Sequence, residues 1–178
     1  YYYTSRTTAN DFMYSSLSEC TDAGHTDCEH YSVGNYYNWN TAIASNNSSS
    51  LTSGNAPNSI CPANWRLPRA SGDYPEFATL FVHYNVIPDI NSSSYVIGDN
   101  NASIGFNNIR SLPLYLARSG NLNGGSVSNK LSVGNYWYNM IKSGESNYVK
   151  FMEFGNGNVL ASNANQRLNG KSIRCLAR

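Results

Sequence analysis

An α+β domain held by disulfides is predicted from three observations. One segment has clear helical periodicity, a run of short β-prone pieces fills the last third between Gly and Asn turns, and four cysteines lack CxxC spacing. At 178 residues the chain fits one domain, 1–178, with 1–30 as an N-terminal extension. It begins at Tyr1, without Met or a charged-then-apolar leader, the form expected of a mature or ectodomain segment.

Taken in order, Phe12, Met13 and Leu17 recur at helical spacing and predict a short helix beginning near Asn10 or Asp11. Tyr31–Trp39 is aromatic and β-branched and reads as a strand, with one helical turn over Asn40–Ala44 and a Ser/Asn/Gly loop over Ser45–Ser59. Ile60–Pro68 is bounded by prolines and reads as extended, with Trp65 and Leu67 on one side and Trp65 in the core. Between Ser71 and Asn85, Phe77, Leu80, Phe81 and Tyr84 fall at i, i+3, i+4 and i+7. They predict an amphipathic helix that Ser71 or Asp73 caps.

Ile87–Ser128 is broken by Asn, Ser, Gly and Pro and reads as long loops around short strands such as Tyr95–Ile97. Four strands are then expected as a meander: Gly134–Tyr138, Tyr148–Phe154, Asn158–Ala161 and Lys171–Leu176. Alternation along the first places Trp137 in the core, with Tyr136 and Tyr138 facing the other way. Ser32–Tyr36 and Ser132–Tyr136 are identical, but nothing around them repeats at a fixed period.

Net charge is +1 without long runs of either sign, which argues against a nucleic-acid partner. The apolar runs are too short to span a bilayer. The 26 Asn, 25 Ser and 14 Tyr, set against 13% charged residues, suit a loop-rich extracellular domain. Two disulfides are the simplest use of Cys20, Cys28, Cys61 and Cys175, and they imply an oxidising compartment. Three connectivities are possible; Cys20–Cys28 with Cys61–Cys175 is preferred. The Cys20–His30 stretch also holds His25, Asp27, Glu29 and His30, so zinc or calcium binding stands as an alternative to a disulfide-closed polar loop.

Catalytic patterns are sparse. The three histidines are His25, His30 and His83, and no Gly-x-Ser-x-Gly elbow accompanies them. Gly155-Asn-Gly157-Asn lacks the third glycine of a dinucleotide site and reads as a turn, while Glu145 and Glu153 read as surface charge rather than a glycosidase pair. The chain is therefore expected to be non-enzymatic and to need no cofactor.

Gly34-Asn-Tyr-Tyr-Asn-Trp39, Ile60-Cys-Pro-Ala-Asn-Trp-Arg-Leu-Pro68, the helix after it, Gly134-Asn-Tyr-Trp137 and Gly170-Lys-Ser-Ile-Arg-Cys175 together resemble the Fibrobacter succinogenes major paralogous domain. The likeness covers roughly Tyr31 to Arg178, residues 31–178 being the family-like core. It implies a C-type-lectin-like fold on a secreted or surface protein: a small twisted sheet, two helices, long irregular loops and a Cys61–Cys175 disulfide. Two features depart from the pattern. Tyr138-Asn-Met-Ile141 stands where family members commonly have Ser-Ser-Thr, and the first 30 residues carry their own Cys pair.

The lectin-like fold also serves the variable proteins of diversity-generating retroelements, whose rewritten surface codons yield Asn, Ser and Tyr near the C-terminus. That resemblance singles out Tyr136, Tyr138, Asn139, Asn147, Tyr148, Asn156, Asn158, Ser162, Asn163 and Asn165 as ligand-contacting residues. Glu-Pro-Asn, Gln-Pro-Asp and Trp-Asn-Asp, the calcium triplets of sugar-binding C-type lectins, do not occur. Tyr supplies rigid contact area and Asn and Ser supply adaptable hydrogen bonds, as in antibody paratopes. The expected partner is a protein or glycan on another cell; the competing expectation is a structural surface-layer or filament module, and a less favoured one is an enzyme of lectin-like fold.

Overall fold

The computed structural model describes residues 36–45, 56–70, 75–86, 95–96, 114, 116–129, 132–155 and 158–177. The expected helix near Asn10, the Cys20–Cys28 pair and the helix caps Ser71 and Asp73 lie outside them.

Helix α1 (Trp39–Ala42) begins where a strand was expected to end, because the Asn38 side chain accepts a hydrogen bond from the Thr41 N–H at 2.9 Å and caps the first turn. Among the described residues of that segment, Tyr37 alone keeps β character, bridging Lys171. Strand β1 (Trp65–Arg66) is two residues long, and Asn64 before it has a φ of 67°. Leu67 is fully buried, as expected, but Trp65 is 46% exposed and is not a core residue.

Helix α2 (Glu76–His83) buries Phe77, Ala78 and Phe81, with Leu80 and Tyr84 packed at the margin, in agreement with the predicted stripe. Its N-terminus is fastened by a carboxylate. Glu76 accepts two hydrogen bonds from the Arg66 guanidinium, each at 2.6 Å, and one from the Arg69 N–H. Burial alone would raise the Glu76 carboxyl, but these donors and the charges of Arg66 and Arg69 outweigh it and hold the pKa below the ordinary value.

The main sheet has the order β2-β7-β6-β5, from β2 (Tyr95–Val96), β5 (Gly134–Ile141), β6 (Tyr148–Phe154) and β7 (Asn158–Gln166), paired antiparallel. The last three form the expected meander. A separate hairpin joins β3 (Asn121–Asn123) to β4 (Ser126–Ser128), and β8 (Leu176–Ala177) pairs with β1. The C-terminal segment expected as a strand from Lys171 to Leu176 is instead split. Gly170–Ser172 runs beside β5, Tyr37 and Leu122 as single bridges, and regular pairing resumes only at β8.

Alternation along β5 and β6 builds two cores. Tyr136, Tyr138, Met152 and Phe154 pack beneath α2 with Phe77 and Phe81. Trp137, Ile141, Val149 and Phe151 pack on the opposite face with Trp39, Ile43 and Leu67. Trp137 is therefore core and Tyr136 and Tyr138 do face the other way. Gly134 is required where it stands, since a Cβ there would lie 2.2 Å from the Phe154 ring and 2.8 Å from the Ala117 carbonyl oxygen. A Cys61–Cys175 disulfide ties the segment before β1 to the end of the chain across a separation of 114 residues. No described helix is long and apolar enough to cross a membrane.

Candidate recognition surface

The sheet sorts the predicted contact residues into two groups. Tyr136, Tyr138 and Asn139 are 5%, 0% and 6% exposed, so these three expectations are corrected: the side chains fill the interior and present almost no surface. Their polar atoms are turned to structural use. The Tyr136 hydroxyl donates to the Ala117 carbonyl and accepts from the Ala117 N–H, and the Tyr138 hydroxyl donates to the Ala161 carbonyl. Burial pushes the Tyr136 phenol up to about 12 and raises that of Tyr138 well above its usual value. Tyr138→Phe is expected to cost about 1–2 kcal/mol in chemical denaturation, because it strands a buried carbonyl, and to leave binding unchanged.

Asn147, Tyr148 and Asn165 lie at the end of the meander where β6 begins and β7 ends, and Asn163 lies two residues further in, opposite Phe151. Asn147 is exposed in the β5–β6 turn, and its carbonyl accepts from the Arg167 N–H just past β7. Tyr148 stands opposite Gln166, with Asn165 opposite Val149 and Asn163 opposite Phe151. Tyr148 and Gln166 thus share one face of the sheet, and Asn163 and Asn165 share the other. Lys142 lies 5.8 Å from the Tyr148 ring centroid and pairs with Glu145. The oxygen of Asn163 is taken by the Ala164 N–H, and that of Asn165 by the Gln166 N–H and the Asn169 amide. Asn163 and Asn165 are both half-buried, on the sheet face that carries Phe151 and Val149. Ser162, half-buried, sits at the register shift between Leu160 and Asn163. Asn158 lies in β7 beside β2, and Asn156 falls outside the described residues.

The outer edge of β7 gives this end a second property. Strand β2 covers only Asn158 and Val159, so the edge beyond has no ladder partner among the described residues, and Leu168 just past it is 73% exposed. Gln166, Lys142 and Leu168 were not anticipated. The signal available for Gln166 was its place in the Asn-Ala-Asn-Gln run that continues β7 beyond Ala161.

A cleft of about 350 Å³ opens on another part of the surface, lined by Pro57, Asn58, Ser59, Arg66, Arg69 and Asn139. Asn139 meets it with its Oδ1 unpartnered among the described residues and its Nδ2 donating to the Ala56 carbonyl at 3.4 Å. His83 is exposed on α2 and meets the Tyr84 ring edge-on at 5.2 Å. Glu145 is at the surface, as expected, whereas Glu153 is half-buried in β6. Comparison with protein-family profiles, with curated proteins and with solved structures finds no match for this chain.

Proposed function

We propose that the chain is an extracellular recognition domain of C-type-lectin-like fold, and that the end of the meander bearing Asn147, Tyr148, Ser162, Asn163 and Asn165 is its ligand surface. One observation carries this reading. Amide and phenol groups of the kind that paratopes use are gathered on strands whose bases are fixed by packed cores on both faces of the sheet. Contacts held on strands lose less entropy on binding than contacts on free loops. The lectin-like reading is supported by the helix on one face, by the meander, and by the return of Lys171 beside Tyr37 under a long-range disulfide. The disulfide also accords with an oxidising, cell-surface setting. The ligand is a protein or glycan on another cell, and no catalytic or cofactor chemistry is invoked.

The test is binding of the labelled domain to a glycan array and to intact bacterial and host cells, with Tyr148→Ala/Asn165→Ala as the comparison. The double variant is expected to bind at least tenfold more weakly, about 1.4 kcal/mol, with an unchanged circular dichroism spectrum. Equal binding by the folded variant rejects the assignment. If the surface is diversified by a retroelement, codons across a population vary at Asn147, Tyr148, Asn156, Asn158, Ser162, Asn163 and Asn165. Those of Tyr136, Tyr138 and Asn139 stay fixed, because their side chains fill the core. The uncovered β7 edge with Leu168 favours one second reading, a structural module that assembles edge to edge. Concentration-dependent association in sedimentation velocity, abolished by Leu168→Lys, is its signature.

A further inference from the structure

Three polar side chains that the recognition surface does not use are set in one row across β6, β5 and the Gly170–Ser172 segment bridged to β5. The Ser172 N–H donates to the Asn135 carbonyl, and the Ser172 carbonyl accepts from the Trp137 N–H, which fixes a parallel register with Ser172 beside Tyr136. Lys171 therefore lies beside Asn135, about 4.8 Å away along the hydrogen-bonding direction. On its other side Asn135 is the direct partner of Glu153 in β6. Lys171, Asn135 and Glu153 share the sheet face that carries Trp137 and Phe151, and the Lys171 Nζ lies 3.9 Å from the Phe151 ring centroid and 5.3 Å from that of Trp137.

The row is an uncommon use of buried polarity. Lys171 and Asn135 are each 1% exposed, and neither Oδ1 nor Nδ2 of Asn135 has a hydrogen-bond partner among the described residues. An unpartnered buried amide costs about 1–3 kcal/mol, so its retention beside an amine and a carboxyl calls for an explanation. Burial draws the Lys171 amine down to about 8 against the opposing pull of Glu153, and burial raises the Glu153 carboxyl against the opposing pull of Lys171. Both groups are thus moved toward their neutral forms, an amine with a free electron pair and a carboxyl with a proton to lend.

The geometry points to an intramolecular isopeptide bond between Lys171 Nζ and Asn135 Cγ, formed with Glu153 as the proton carrier. In the step, the neutral amine attacks Cγ while the protonated Glu153 donates a hydrogen bond to the Asn135 carbonyl oxygen. The Nζ–Cγ bond forms, Glu153 carries the proton released from Nζ to Nδ2, and the Cγ–Nδ2 bond breaks with loss of ammonia. One amide replaces another, so no oxidant, reductant or external co-reactant is required. The rings of Trp137 and Phe151 exclude water, which would otherwise hydrate the amine and compete for the carbonyl. The product staples the returning segment to the middle of the sheet, a covalent tie additional to Cys61–Cys175.

The experiment is intact-mass spectrometry of the full chain, purified folded and then reduced and denatured. The expected mass is one ammonia, about 17 Da, below that of the sequence, and digestion is expected to yield a branched peptide joining Lys171 to Asn135. Lys171→Arg and Glu153→Gln, shown to be folded by circular dichroism, are expected at their full sequence masses. A folded wild-type chain at full mass overturns the inference. So does an ammonia loss that persists in Lys171→Arg, which would place the chemistry at another asparagine, or one that persists in Glu153→Gln, which would remove the proton carrier.

Discussion

Replacing Cys61 and Cys175 together by serine is expected to lower the free energy of unfolding by about 4–5 kcal/mol. The bond closes a separation of 114 residues, and a loop of about 100 residues is worth roughly 4.7 kcal/mol in the chain-entropy account. Few other contacts among the described residues join these two segments. Strands β1 and β8 pair over only Trp65–Ala177 and Arg66–Leu176, and Ile173 and Cys61 pack at the margin of the Trp137 core. Guanidinium denaturation of both proteins at one pH measures the difference, and the steeper slope of the variant reports its more expanded unfolded state. A loss below about 1 kcal/mol would mean that the Gly170–Ser172 bridges secure the C-terminus without the disulfide.

What could be read from the sequence was the local part of the fold. Helix α2 announced itself because its four apolar positions repeat at the helical period within one segment, and β5 and β6 did so because their aromatic and β-branched runs are bounded by glycine and polar turns. Trp39 was misassigned to a strand because aromatic content outweighed the Asn38 capping signal three residues before Thr41. Trp65 was misplaced for a different reason. Alternation tells which side of a strand a residue occupies, but not how fully that side is covered, and Trp65 is left half-exposed.

The candidate surface was half legible for the same reason. Tyr and Asn are equally at home in a paratope and in a core where backbone carbonyls are available to them. Only the tertiary placement of Ala117, Ala161 and Ala56 decides that Tyr136, Tyr138 and Asn139 belong to the second case. The row of Lys171, Asn135 and Glu153 lay further out of reach. It depends on a parallel bridge between residues 36 apart in sequence and on an antiparallel register two strands wide, and no local pattern encodes either.

Trp137→Ala is expected to lower stability by about 3–5 kcal/mol, the range for removing a fully buried aromatic ring. Trp137 has no exposed surface, meets the Phe151 ring edge-on at 6.1 Å and donates from Nε1 to the Tyr37 carbonyl at 2.7 Å. Three penalties therefore coincide in one substitution: the lost transfer energy of the indole, a cavity bounded by a sheet that cannot collapse without moving β6, and a weaker tie to the Tyr37 segment. The Lys171 side chain also loses one of the two rings its Nζ lies against and keeps only Phe151. In thermal unfolding followed by far-ultraviolet circular dichroism, the loss corresponds to a fall in Tm of roughly 10–15 °C for a domain of this size. Trp65→Ala is the internal comparison. That ring is half-exposed outside both cores, so its removal is expected to cost about 0.5 kcal/mol or less. Equal losses from the two substitutions would show that burial in this sheet does not set the energetic weight of its tryptophans.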